Sequence, residues 1–173
     1  MQNSVGATSR TKVRRAPEKT IVDREIVNAI LDAGLVAHVA CVVDGQPFVM
    51  PVGYARDGDR VLIHGSAASR VFKALAAGQS TCLTVTLLDG IVLARSAFES
   101  SMNYRCVIAL GICEVLEGEE KESALIRITD YLLPGRTAHA RISAPKESKA
   151  TLMLALPLTE VSCKVSENFS EDD

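Results

Sequence analysis

Apolar and polar positions divide the chain into many short runs with a period near two, interrupted by a few stretches of helical period. Leu35 to Val43 is an apolar run containing His38, and Asp44-Gly45 is a hairpin signal into Pro47 to Ala55. Asp57-Gly58-Asp59 turns the chain into Val61-Leu62-Ile63. Thr81 to Leu88 alternates, with Cys82, Thr84 and Thr86 facing one way and Leu83, Val85 and Leu87 the other. Asp89-Gly90 predicts a turn into Ile91 to Phe98, and the polar stretch Glu99 to Asn103 leads into a long strand, Tyr104 to Leu116. Gly111 within that strand marks a bulge or barrel corner. Thr151 to Leu156 and Thr159 to Val165 are further strands, interrupted at Pro157. Leu152, Leu154 and Leu156 share one side of theirs, an apolar surface that asks for a partner.

The helical period shows in three places. Asp23 caps a helix carrying Ile26, Val27, Ile30 and Leu31, and Gly34 ends it. Ala68, Val71, Phe72 and Leu75 fall at i, i+3, i+4 and i+7, with Gly78 as the stop. Glu119 to Leu132 gathers Ala124, Ile128, Tyr131 and Leu132 on one face, and Thr137 to Lys149 is irregular or weakly helical. Seven or so strands joined mostly by hairpins, with helices around them, predict a mainly β fold: a closed or nearly closed antiparallel β-barrel with flanking helices. It occupies residues 21–166 as one domain. A flexible basic N-terminal arm, 1–20, carries Arg10, Lys12, Arg14, Arg15 and Lys19, and an acidic tail, 167–173, carries Glu167, Glu171, Asp172 and Asp173.

Composition narrows the function classes. The 173 residues are 47% hydrophobic and 23% charged, as in a soluble globular protein. Aromatics at 4% without tryptophan speak against recognition by base stacking, and a net charge of −2 supplies no field for nucleic acid. The five cysteines lack C-x-x-C spacing, which argues against zinc or any other metal and for reduced thiols in a cytoplasmic protein. The longest apolar run is too short to span a bilayer, and no signal-peptide core is visible.

Chemistry concentrates in His64-Gly65-Ser66-Ala67-Ala68-Ser69-Arg70, between a strand and a helix. Ser66 is a plausible N-cap, which puts Arg70 in the first turn, where a cation opposes the macrodipole unless an anion lies between them. Two readings stand: a phosphate held by helix amides, Ser66, Ser69 and Arg70, or an ordinary cap with a solvated arginine. Ser100 to Arg105 is a second polar cluster, readable as a hairpin loop whose Arg105 pairs with a surface carboxylate. Thr84 and Thr86 are good strand formers, one of which has a hydroxyl to offer a ligand edge. His38 reads as a hydrogen-bonded core or interface residue and His139 as solvated. No G-x-S-x-G, H-E-x-x-H or P-loop is present.

The strings GYARDGDRVLIHGSAASRVFKAL and TCLTVTLLDGIVLARSAFESSMNYRCVIALG resemble the pyridoxamine 5'-phosphate oxidase-like family, in its branch of small flavin-binding barrels that includes nitroimidazole-resistance proteins. The likeness runs from about Asp23 to Val165. It implies an FMN-binding split barrel, a homodimer with two flavin sites at the subunit interface. Met50, Pro51, Val52, Gly53 and Tyr54 would run beside the ring, and Gly65, Ser66, Ser69 and Arg70 would hold the phosphate. His64 matches a cofactor-facing histidine of the relatives and is the candidate catalytic residue. Thr84, Thr86, Ser101, Asn103, Tyr104 and Arg105 complete the implied site, the last four across the interface. Relatives often carry histidines where this chain has Glu99 and Ser100, so chemistry needing those histidines is not expected here. The cofactor implied is FMN, ahead of deazaflavin, haem or FAD. The function implied is a small oxidoreductase passing electrons from NAD(P)H to a small organic acceptor. The alternatives are a non-catalytic flavin carrier, sensor or regulator on the same fold, or a deazaflavin- or haem-binding barrel. No counterpart of the oxidase's own C-terminal substrate segment is visible.

Overall fold

The computed structural model describes residues 8–167. A short strand β1 (Thr20–Ile21) precedes α1 (Arg24–Ala33), and then come β2 (Val36–Val43), β3 (Gln46–Asp57), β4 (Arg60–Ser66) and α2 (Arg70–Ala76). The long pair β5 (Ser80–Val92) and β6 (Ser101–Ile112) follows, with β7 (Glu114–Leu116) and α3 (Gly118–Leu132). After α4 (Pro145–Lys149) the described part closes on β8 (Thr151–Pro157) and β9 (Glu160–Ser166). The strands pair antiparallel in the order β1-β9-β6-β5-β2-β3-β4-β8-β7. The sheet curls until β6 packs on β8: a Cβ at Gly111 would stand 3.1 Å from Leu156. This is the expected mainly β split barrel with flanking helices.

Alternation decides what the barrel encloses. Val39 and Cys41, Val52 and Tyr54, Val61 and Ile63, Leu83 and Val85, and Leu154 and Leu156 point inward from successive strands. Val27, Ile30 and Leu31 of α1 and Val71, Phe72 and Leu75 of α2 join the same core. A second core lies under α3, where Ala124 and Ile128 cover Ala55, Leu62, Met153 and Ala155. β4 is therefore buried on both faces, which is why its sequence is an unbroken Val61-Leu62-Ile63. The Asp44-Gly45 hairpin forms as expected, both residues at positive φ (52° and 77°), the geometry of a type I′ turn. Gly34 ends α1 with φ −86°, so it is not a left-handed cap. It is a glycine because a Cβ would stand 2.6 Å from the Tyr54 hydroxyl. The hydroxyls of Tyr54 and Tyr131 instead donate toward the carbonyls at that helix end: Tyr54 to Leu31, and Tyr131 within reach of Leu31, Asp32 and Gly34.

Several expectations are corrected. Asp89-Gly90 is not a turn but a bulge in one continuous strand, where the β5–β6 register shifts between Leu88 and Gly90. The connecting loop lies at 93–100, and the long strand starts at Ser101 and breaks at Cys113 rather than running to Leu116. Leu154 and Leu156 are core residues and offer no partner surface. The arm expected to be free up to Thr20 is docked over residues 8–20: Arg10 and Thr8 bond Glu160, and Thr20 pairs with Lys164. The acidic tail beyond Glu167 and the arm before Thr8 lie outside the described residues. No helix among the described residues is long and apolar enough to cross a membrane.

Candidate functional site

The site begins where β3 changes partner. From Gln46 to Gly53 it pairs with β2, and from Tyr54 to Asp57 with β4. Between Gln46 and Gly53 the edge of β3 that faces away from β2 therefore has no strand partner among the described residues. An open edge presents backbone N–H and C=O groups ready for another molecule. Opposite this edge β4 continues from His64 to Ser66 paired with β8, and the chain then enters α2 at Arg70. This open edge and the 64–70 segment are the two borders of a candidate cleft, whose β3 side runs about 17 Å from Gly53 back to Phe48 at the usual rise per residue.

His64 stands at the fork. Ala55 and Leu62 are cross-strand partners, so Gly53, two residues from Ala55, and His64, two residues from Leu62, share their face. Leu132 of α3 covers this point, 3.0 Å from where a Gly53 Cβ would be, so a side chain there would crowd the fork. Burial pushes the His64 imidazole below its ordinary pKa, which keeps the ring neutral near pH 7. Its Nδ1 is buried and has no hydrogen-bond partner among the described residues. An orphaned polar atom of this kind costs about 1–3 kcal/mol unless something satisfies it.

The far end of the cleft carries the cation. The helix cap is Ser69, not Ser66: Ser69 Oγ accepts from the Phe72 N–H at 3.4 Å, and α2 starts at Arg70. Ser66 Oγ accepts from the Ala68 N–H at 3.1 Å, and the Ala67 N–H is spent on the Ala150 carbonyl. Each serine oxygen thus accepts a bond, while each hydroxyl proton is free to donate to an anion. The seven-residue helix adds little dipole, so holding an anion here falls to Arg70 and the two hydroxyls. Arg70 lies over the Phe48 ring, 5.3 Å from its centroid, and makes no ion pair or hydrogen bond among the described residues. Gly65 permits this layout, because a Cβ would stand 2.4 Å from the Phe72 ring.

The residues expected at the site separate into three groups. His64, Gly65, Ser66, Ser69 and Arg70 follow one another from the end of β4 into α2, and Pro51 and Gly53 lie on the outward face of the open part of β3. Phe48, Met50, Val52 and Tyr54 share the barrel-facing side of the strand, where Phe48 at its start meets Arg70, and Tyr54 is fully buried, so its side chain cannot line a ring. Thr84 and Thr86 face outward with His38, but their hydroxyls bond across to β6, Thr84 to the Val107 carbonyl at 3.2 Å and both to Cys106 Sγ. Ser101, Asn103, Tyr104 and Arg105 sit on β6, with β5, β2 and β3 between them and β4. Arg105 is tied to Asp89 there, the surface carboxylate pairing expected as the plain alternative. A single protomer therefore does not bring this stretch to the cleft. The residues that sequence reasoning missed are Phe48 and Leu132. Pairing Phe48 with Arg70 needs the strand register, and Leu132 reads simply as an apolar position of α3.

Other depressions lie away from this edge. One of about 600 Å³ between α3 and the β3–β4 turn holds Arg56, Arg60 and Arg127, all bonded to Asp32, Asp57 or Glu120, so their charge is already spent. No cluster of His, Cys, Asp and Glu suited to a metal ion occurs among the described residues.

Residues 23–165 match the family model described as pyridoxamine 5'-phosphate oxidase. The flavocytochrome Anf3 from Azotobacter vinelandii is 44% identical, with a TM-score of 0.89 over 98% of this chain and 79% of that one. A protein from Mycobacterium smegmatis described as FAD- and haem-binding is 43% identical, with a TM-score of 0.85 over 90% of this chain and 77% of the other. A candidate 5-nitroimidazole antibiotic resistance protein from Bacteroides thetaiotaomicron shares the fold at 21% identity, with a TM-score of 0.69 over 84% and 86% of the two chains. Comparison with curated protein sequences gives no match.

Proposed function

This chain belongs to the pyridoxamine 5'-phosphate oxidase-like family of flavin-binding split barrels, and on that premise we propose that it is a small oxidoreductase that binds FMN in the cleft between β3 and the 64–70 segment. The observation that carries this reading is the buried, unpartnered Nδ1 of neutral His64 beside the open β3 edge. A flavin's polar ring edge would pair with the free backbone groups of Met50 to Gly53, and with Nδ1 once the side chains that cover that atom move aside. Ser66, Ser69 and Arg70 would hold the phosphate at the other end. Bound there, the flavin supplies the hydride and electron chemistry. The protein's own part is to fix the ring against the strand, keep water from the fork with Leu132, and hold the Nδ1 proton or lone pair of His64 at the ring edge. FAD, named for the M. smegmatis relative, is the nearest competitor, since the same phosphate anchor serves either flavin. Deazaflavin stands behind both.

The donor would be NADH or NADPH, approaching over the open side of the ring, and the acceptor a small organic molecule. A second copy of the chain would bring its Ser101 to Arg105 stretch to the cleft. The cytoplasmic location read from the cysteines belongs to the same proposal. One second reading is favoured by the same atom: a neutral imidazole with a free nitrogen is what a haem iron takes as a ligand, and two relatives are named for haem or as a flavocytochrome. His64 would be its ligand, and a haem absorption band would separate the two readings.

Anaerobic mixing with NADH and NADPH tests the enzyme reading. Bleaching of the flavin band within seconds, with recovery on adding a quinone or nitroaromatic, is expected. Reduction by dithionite but by neither nucleotide would move the protein to the carrier or sensor class.

A further inference from the structure

We propose that Phe48 is a positioning residue for the phosphate anchor: its ring holds the Arg70 guanidinium at the end of the cleft while leaving its hydrogen-bond donors unspent. This rests on the reading that the flavin phosphate lies at Arg70. The contrast with the arginines that carboxylates hold carries it. Arg56, Arg60, Arg105, Arg127 and Arg141 are each held by a carboxylate, and the donors that hold them are consumed in doing so. Arg70 is held by a π face 5.3 Å away. A ring attracts a cation through its quadrupole and leaves the N–H groups and the net charge available to an incoming anion. A carboxylate in the same place would neutralise the charge that the phosphate needs.

The platform is itself fixed. Phe48 packs against the main core, and its cross-strand partner is Cys41, a buried residue. Its position in β3, ahead of the point where that strand turns to β4, sets the ring beside the start of α2. An exposed arginine without such a platform would have to be ordered by the ligand, at a cost in affinity. The arrangement therefore favours flavins that bear a phosphate over riboflavin, without a contact from Phe48 to the ligand.

The test is titration of the flavin-free protein with FMN and with riboflavin, followed by flavin fluorescence. Arg70→Ala is expected to weaken FMN by roughly tenfold to a hundredfold and to leave riboflavin unchanged. Phe48→Leu is expected to weaken FMN by about two- to fivefold, again with riboflavin unchanged, and Phe48→Tyr, which keeps the ring, restores FMN affinity. Should Phe48→Leu fold poorly, Phe48→Met keeps the volume and gives the same comparison. Equal weakening of both ligands by Phe48→Leu, or no FMN-selective loss while Arg70→Ala shows one, overturns the positioning role alone. If Arg70→Ala shows no FMN-selective loss, the phosphate assignment falls, and the role of Phe48 with it.

Discussion

At the scale of single residues, what sequence reveals is chemistry and what it hides is direction. The loop His64 to Arg70 stands out by its residue types, and the fold does place it beside an open strand edge. Which of Met50 to Tyr54 faces the cleft cannot be read from the sequence, because Phe48 to Ala55 is apolar on both faces and offers no period. Only the register sends Tyr54 inward, to donate to the Leu31 carbonyl. His64 yields the prediction that belongs at this scale. Burial lowers its pKa from 6.5, so below that value the unfolded chain binds more protons than the folded one. The stability due to neutral His64 is thus present above pH 6.5 and lost as pH falls toward the folded pKa. Urea midpoints measured from pH 7 down to pH 5 should decline in the wild type and stay flatter in His64→Gln. Equal slopes would mean that His64 is not held neutral by the fold. The depressed carboxylates, Asp89, Glu147 and Glu160, titrate below their ordinary values of 3.8 to 4.5 and so leave this window clear.

At the scale of elements, turn residues are the ambiguous signal. Asp44-Gly45 and Asp57-Gly58 both make hairpins, and Asp89-Gly90, equally turn-like, makes a bulge. The difference is tertiary: Arg105 on the facing strand grips Asp89 and lets the ladder resume at Gly90–Asn103. Likewise two serines compete to cap α2, and Ser69 is the one in place because Ser69 N–H bonds back to the Ser66 carbonyl, delaying the helix by one turn of chain. Gly65 ties these elements together. With a Cβ 2.4 Å from the Phe72 ring, Gly65→Ala must shift α2 or β4. A loss of about 1–3 kcal/mol in denaturant unfolding is expected, as for other overpacked cores. Because α2 carries Arg70, FMN affinity should fall as well. A Gly65→Ala protein of unchanged stability would show that α2 is more loosely seated than its packing implies.

At the scale of the molecule, the barrel and its flanking helices follow from alternation and hairpin signals, whereas its outer surface does not. The apolar side of β8 that suggested a partner is inside, since α3 covers one face of that strand and the barrel core the other. One group of exposed apolar residues lies on the far part of the β5–β6 hairpin, beyond its last pairs with β2 and β9. Leu88, Ile91, Leu93 and Met102 are open there, and Phe98 at the loop is 91% exposed. Solvent-facing apolar groups gathered on one projecting ribbon suit a contact surface, and the ribbon carries Ser101 to Asn103, with Tyr104 and Arg105 at its base where pairing with β9 begins. A homodimer in which this ribbon reaches the partner's cleft would unite the two halves of the site that one protomer keeps apart.

The most direct test of flavin in the cleft of such a dimer is sedimentation velocity of the purified protein, recorded at the protein band and at the flavin band. Flavin absorbance is expected to travel with a species of dimer mass, after supplementation with FMN if the protein is isolated without it. Protein that sediments without flavin absorbance, even in the presence of FMN and FAD, would contradict it.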